Sequence, residues 1–178
     1  MKPKQNIFPR WRGFNLLGMF CSESSEYRDF RSPGYYTEED FKMISDWGFD
    51  FVRLPLSYRI WSDVSDPYKI DEGKIAPLDE AVYFAEKYGL HVNIAMHRLP
   101  GYCVNQDEKI EESGNLWTDD DMLDASVYQW TQIAKRYTSI SSDILSFNVI
   151  NEPDRSITQA QYKNVSERVI NSVRKLSP

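Results

Sequence analysis

The sequence predicts an α/β protein in which strands and helices alternate four times and the strands run parallel. Two observations carry this. Short apolar, β-rich runs take turns with segments of helical spacing along the chain, and strands joined through crossover helices must lie parallel. A third observation concerns function. The loops after the strands are long and those before them are short, the asymmetry expected when one face of a sheet carries chemistry. The pattern fits a doubly wound sheet and a barrel alike, within a single domain spanning residues 1–178.

The first strand is expected near Arg12–Leu17, followed by a loop to about Pro33. Thr37 with Asp40 has capping-box spacing and announces the first helix. Its apolar face carries Phe41, Ile44 and Trp47, and Gly48 stands where a helix C′ glycine belongs. The second strand is Phe49–Leu54, closed by Pro55, and a long aromatic loop runs from Ser57 to Ala76. Pro77 suits the first turn of the second helix, whose stripe is Leu78, Ala81, Val82, Ala85 and Tyr88, with Gly89 as its stop.

The third strand is Leu90–Met96, ending at His97, and Arg98–Trp117 is the loop after it. Thr118 with Asp121 predicts a capping box for the third helix, and Leu123, Val127, Trp130, Ala134 and Tyr137 recur at helical spacing. The fourth strand, Ile144–Ile150, reads as buried on both faces, with Pro153 stopping its ladder. Thr158 and Gln161 cap the fourth helix, whose stripe is Tyr162, Val165, Val169, Val173 and Leu176, with Pro178 just beyond.

Composition narrows the function. A net charge of −6 offers no basic surface to neutralise phosphates, which argues against a nucleic-acid partner. No apolar run approaches a membrane span, and the start, Met1-Lys-Pro-Lys-Gln-Asn, lacks the apolar core of a signal peptide. The expectation is a cytoplasmic protein or an exported one whose signal has been removed. Cys21 and Cys103 form no disulfide framework and are expected as two reduced thiols, although each follows a strand and the two could be near each other. With His91 and His97 as the histidines and no His/Cys cluster, no metal or other cofactor is expected. The dinucleotide fingerprint and the phosphate loop are both missing after the first strand.

Four residues fall at predicted strand ends. Glu152 reads as a general acid/base or as a surface carboxylate capping a loop. Asn151 offers an amide to a substrate hydroxyl, or is a turn residue. Arg53 interrupts a buried-strand pattern and needs a partner, either as a brace for Glu152 or a neighbouring carboxylate or as a structural ion pair. His97 shares that layer, and Arg98 is expected to point the other way if the strand continues past His97. Tyr58, Trp61, Tyr102 and Trp117 lie in loops of the same face and offer rings either for sugar stacking or for packing.

Four segments together resemble the first half of glycoside hydrolase family five, the cellulase-type (β/α)8 barrels. They are Arg-Gly-Phe-Asn (12–15), Gly-Phe-Asp-Phe-Val-Arg-Leu-Pro (48–55), His-Arg-Leu-Pro-Gly-Tyr (97–102) and Phe-Asn-Val-Ile-Asn-Glu-Pro (147–153). The resemblance implies half of a TIM-type barrel built from four βα units. It implies Glu152 as acid/base, Asn151 on the sugar 2-hydroxyl, Arg53 near the catalytic pair and His97 lining the subsite where the bond breaks. Tyr102 and Trp61 join them as expected substrate contacts. The implied activity is hydrolysis of β-linked glycans such as β-1,4-glucan with retention and without a metal.

The family's nucleophilic glutamate belongs to the other half of the barrel, and no second carboxylate of this chain falls at a predicted strand end, since Asp63, Asp66 and Asp107 lie in loops. The nucleophile is therefore expected outside this chain, with weak or lost activity. A half barrel also leaves open strand edges, which two copies could close as a homodimer. The alternative expectation is a non-catalytic carbohydrate-binding or structural half barrel.

Overall fold

In a computed structural model, residues 10–20, 35–103 and 114–176 are described. The elements are β1 (Gly13–Asn15), α1 (Glu38–Asp46), β2 (Phe51–Ser57), α2 (Glu72–Lys87), β3 (His91–Leu99), β4 (Tyr102–Cys103), α3 (Asp120–Arg136), β5 (Leu145–Asn148) and α4 (Gln159–Arg174). A 3-10 turn, Tyr58–Ile60, follows β2. The major strands pair in the order β1-β2-β3-β5, all parallel, and β4 folds back antiparallel onto the end of β3. Four βα units in one parallel sheet are the predicted arrangement. The expectations for Cys21, Pro33, Asp107 and Pro178 lie outside the described residues.

Alternation gives the sheet two unlike faces. Val52, Leu54 and Leu56 of β2 and Val92, Ile94 and Met96 of β3 are buried in the core, with Phe41, Ile44, Leu78, Ala81, Trp130, Ile133 and Val165 from the helices. Each fully buried aliphatic side chain contributes about 1.5–3 kcal/mol, so this helix-covered face dominates stability. The intervening positions carry Asn15, Arg53, Asn93, Ser146 and Asn148, and they form the opposite, polar face.

Several boundaries differ from expectation for local reasons. Pro55 lies inside β2, paired with Ala95, and does not close the strand. The Arg53 carbonyl and the Ser57 amide both bond toward the β1 side, so the missing N–H of Pro55 faces that side, where β1 has already ended. Helix α2 begins at Glu72, because the Asp71 carboxylate accepts from the amides of Gly73 and Lys74; Pro77 is internal. Asp119, not Thr118, is the N-cap of α3, and its carboxylate accepts from the Asn115 amide. Both Thr37 and Thr158 form the expected capping boxes. Trp47 is the C-cap of α1 and is 62% exposed, its ring meeting Phe14 edge-on, so it leaves the predicted core stripe. Tyr162 of the α4 stripe is likewise exposed.

The strand ends change most. β3 extends through His97 and Arg98, and its register against β2 shifts between Leu56 and Ser57, so that Met96 pairs with Leu56 and Arg98 with Ser57. This bulge turns both side chains toward Phe20: the His97 ring lies 4.5 Å from it and the Arg98 guanidinium 4.6 Å. Arg98 therefore does not point away from His97. β5 is shorter than Ile144–Ile150 and its last three residues are only half-buried, which corrects the reading of a strand buried on both faces. Its pairing with β3 ends at Ala95, and β4 pairs with Arg98 and Leu99 just beyond while β2 holds the other edge. The hairpin, rather than Pro153, ends the ladder.

At the opposite end of the sheet His91 is buried, stacked 3.8 Å from Trp11, with its ring nitrogens on the Asp143 carbonyl and the Ser146 hydroxyl. Burial lowers its pKa below the ordinary 6.5, against the opposing pull of Asp143. A histidine kept neutral by folding lets the unfolded chain bind the extra proton first, so stability falls as pH drops below about 6.5 toward the folded pKa. Chemical denaturation between pH 7 and pH 5 is expected to show a smaller acid loss for His91→Gln than for the parent chain.

Candidate active site at the strand ends

Arg53 sits on the polar face of β2 and donates to three asparagine oxygens. They are Asn15 Oδ1 on β1 at 3.3 Å, Asn148 Oδ1 on β5 at 3.0 Å and Asn151 Oδ1 beyond β5 at 2.8 Å. A guanidinium is a rigid fork that suits planar acceptors at several angles. Burial lowers the Arg53 pKa, and the negative charge of Glu152 opposes the shift. The expected bracing partner was a carboxylate. The structure instead gives Arg53 amide oxygens for contact and Glu152 through its field.

These bonds fix the orientation of Asn151. Arginine only donates, so Oδ1 faces Arg53 and Nδ2 faces His97 Nε2 at 3.2 Å. Nε2 must then accept, which places the neutral imidazole proton on Nδ1. Asn151 is buried, and its amide has a second N–H to offer a ligand hydroxyl. Arg53, Asn151 and His97 are thus one connected network across β2, β3 and the end of β5.

Glu152 follows Asn151 and is exposed. Its φ of +44° is left-handed, a conformation that costs a residue with a side chain about 1–3 kcal/mol. Pro153 disfavours the right-handed alternative at the residue before it. The segment is held from three sides. The Trp130 indole donates to the Val149 carbonyl at 3.0 Å, Arg53 holds Asn151, and the Tyr102 hydroxyl donates to the Glu152 carbonyl at 2.6 Å. An exposed carboxylate on an anchored backbone is placed to exchange protons with a ligand.

The aromatic loop residues behave differently from expectation. Trp61 is 1% exposed and its indole donates to Gln129 Oε1 at 2.8 Å, so its ring packs in the core and offers no face to a sugar. Tyr58 is fully buried. Tyr102 is 8% exposed, edge-on to Trp117 at 5.2 Å, and is likewise no open stacking platform. Burial pushes its pKa up to about 12, so its hydroxyl keeps its proton and donates. The carboxylates of Asp63 and Asp66 accept from backbone amides two residues on, within their own turns. Asn15 and Asn148 are members of the network that sequence reasoning missed. Their signal was an asparagine within each predicted strand, on the face that carries Arg53. Among the described residues no group of three metal-ligating side chains gathers.

The family model described as Cellulase (glycosyl hydrolase family 5) matches residues 4–178. Cellodextrinase A of Ruminococcus flavefaciens is 30% identical over 94% of this chain and 47% of its own length. Glucan 1,3-beta-glucosidase 1 of Schizosaccharomyces pombe is 32% identical over 80% of this chain and 35% of its own. A solved structure titled as a glycoside hydrolase superposes with a TM-score of 0.85 at 31% identity, covering 96% of this chain and 51% of the other. The chain therefore spans half the length, or less, of the curated relatives it matches.

Replacing Arg53 separates charge from geometry. Arg53→Lys keeps the cation but cannot reach three oxygens from one plane, and Arg53→Met removes both. Urea denaturation should show a loss of about 1–3 kcal/mol for Arg53→Met and a smaller one for Arg53→Lys. Equal stability in all three proteins would mean that the network holds nothing together.

Proposed function

The chain belongs to glycosyl hydrolase family 5, and on that footing we propose that it provides the acid/base half of a site that cleaves β-linked glucans. Glu152 is the proposed proton donor to the leaving glycosidic oxygen. The observation that carries this is an exposed carboxylate on a left-handed, anchored backbone, directly after a buried asparagine locked by Arg53 and His97. The glucan-directed names of the relatives support the substrate class.

The proposed chemistry follows from what each group can do. Glu152 donates a proton as the glycosidic bond breaks and accepts one from water in the next step. The free N–H of Asn151 binds a sugar hydroxyl beside the reacting carbon. Neutral His97 holds the Asn151 amide in plane and lines the same subsite. Arg53 keeps positive charge beneath the site. Retention needs a second carboxyl group about 5–5.5 Å from the first. We propose that this nucleophile comes from outside residues 1–178, on the units that complete the barrel.

An open sheet supports that reading. All three residues of β1 are exposed, and β5 is half-buried along its outer stretch. Two copies about a two-fold axis would cover these edges, and we infer such a homodimer for the chain on its own. Small-angle scattering should return twice the chain mass. A concentration-independent monomer mass would remove the dimer.

In a protein that carries these residues together with the nucleophile-bearing units, release of reducing ends from cello-oligosaccharides is expected to fall by about 10²–10⁴-fold in Glu152→Gln. If Glu152→Gln leaves that release unchanged while calorimetry shows that residues 1–178 bind the oligosaccharide, a binding half barrel replaces the enzyme reading.

A further inference from the structure

We propose that Tyr102 is a positioning residue for the acid/base: its hydroxyl clamps the Glu152 carbonyl and holds the left-handed backbone that aims the Glu152 side chain. The inference rests on Glu152 being that acid/base. It gives Tyr102 a role other than the sugar stacking its sequence position suggested.

The clamp is built from local sequence. Leu99-Pro100-Gly101-Tyr102 has proline second and a left-handed glycine third, with φ +72° at Gly101, the signature of a type II turn. The turn folds Tyr102 back beside Leu99 and Cys103 beside Arg98. Gly101 is fixed in turn: its carbonyl accepts from the Leu116 amide at 3.0 Å, and a Cβ there would stand 2.6 Å from that nitrogen. The Ser126 hydroxyl holds the Pro100 carbonyl at 3.2 Å. Tyr102 is therefore seated by β3, α3 and the segment before α3, and its ring is steadied by Trp117.

At its other end the Tyr102 hydroxyl meets the backbone on both sides of Pro153, at the Glu152 carbonyl and at Asp154. Among the described residues Glu152 is the non-glycine residue with positive φ. Returning to an extended φ would swing its Cβ and its carboxyl to another direction and would turn the carbonyl away from Tyr102. The 2.6 Å bond opposes that rotation directly. The neighbouring anchors act before Glu152, on the Val149 carbonyl and the Asn151 side chain. Burial pushes the Tyr102 pKa up to about 12, so the hydroxyl keeps the proton it donates.

Tyr102→Phe keeps the ring against Trp117 and removes only the hydroxyl. Two readouts test it. The first is NMR scalar coupling across the Glu152 N–Cα bond, which needs no turnover. Positive φ is expected in the parent chain and a shift to negative φ in Tyr102→Phe. The second compares glucosides with poor and good leaving groups. With the nucleophile-bearing units present, a mispositioned acid should cost roughly tenfold or more in kcat/KM on cello-oligosaccharides, and far less in kcat/KM on an activated aryl glucoside, whose bond breaks without a proton. Glu152→Gln in the same assay tests the parent reading. If it discriminates between leaving groups while Tyr102→Phe does not, the clamp fails and the acid/base assignment stands. If Glu152→Gln does not discriminate, the assignment itself fails. Retention of positive φ at Glu152 in Tyr102→Phe overturns the clamp whatever the activity.

Discussion

The strand-end site depends on one cation among amides. Arg53 lies on the sheet face away from the helices, where a lone charge is costly unless it is well bound. Its fork is satisfied by Asn15, Asn148 and Asn151, contributed by β1, β5 and the loop after β5. A carboxylate at any of those points would have formed a tighter pair and drawn the guanidinium to one side. Three neutral oxygens instead spread the contact over three chain segments. The cation is thereby kept central, and its field stays available to Glu152.

The second constraint is the end of β3. Had that strand remained regular, His97 and Arg98 would have faced opposite sides, and β5 could have run alongside to Ile150. The bulge opposite Leu56 and Ser57 turns both side chains to Phe20, and the Pro100-Gly101 turn lays Tyr102 along the edge that β5 would otherwise occupy. The chain after Asn148 must leave the sheet, and it leaves over Tyr102 and Trp130. The left-handed Glu152 is a consequence of that exit. Local strain at the proposed acid is thus traceable to a two-residue strand 50 residues earlier in the sequence.

The fold was legible because its signals are local. The Thr37 and Thr158 caps, the C′ glycine at Gly48 and the two-residue alternation of Val52, Leu54 and Leu56 each declare their element within a few residues. What was missed depended on neighbours distant in sequence. Pro55 looked like a stop because nothing near it reveals that β1 has ended on its N–H side. Pro77 looked like a start because Asp71 caps from six residues upstream. Ile144–Ile150 looked buried on both faces because apolar residues do not report whether a second sheet layer exists. Within the site, Arg53, His97, Asn151 and Glu152 were visible as polar breaks in apolar strands. Asn15 and Asn148 were overlooked because an asparagine near a strand end also reads as a turn. Trp61 and Tyr102 carry the ambiguity of any loop aromatic, which serves as anchor or as binding surface, and here both rings are buried.

The two faces of the sheet divide the work. Apolar burial lies on the helix side, where Val52, Leu54, Val92 and Ile94 are sealed by four helices. The other face keeps Asn93, Ser146 and Asn148 only partly buried. Apolar side chains in those positions would have driven that face to collapse or to non-specific association. Polar ones let that face stay partly exposed at modest cost, because water serves their hydrogen bonds. The same choice limits what can cover the face. A partner that brought only apolar side chains would strand those amides and hydroxyls without partners, at about 1–3 kcal/mol each. Anything packed against this face must therefore carry hydrogen-bonding groups of its own inward.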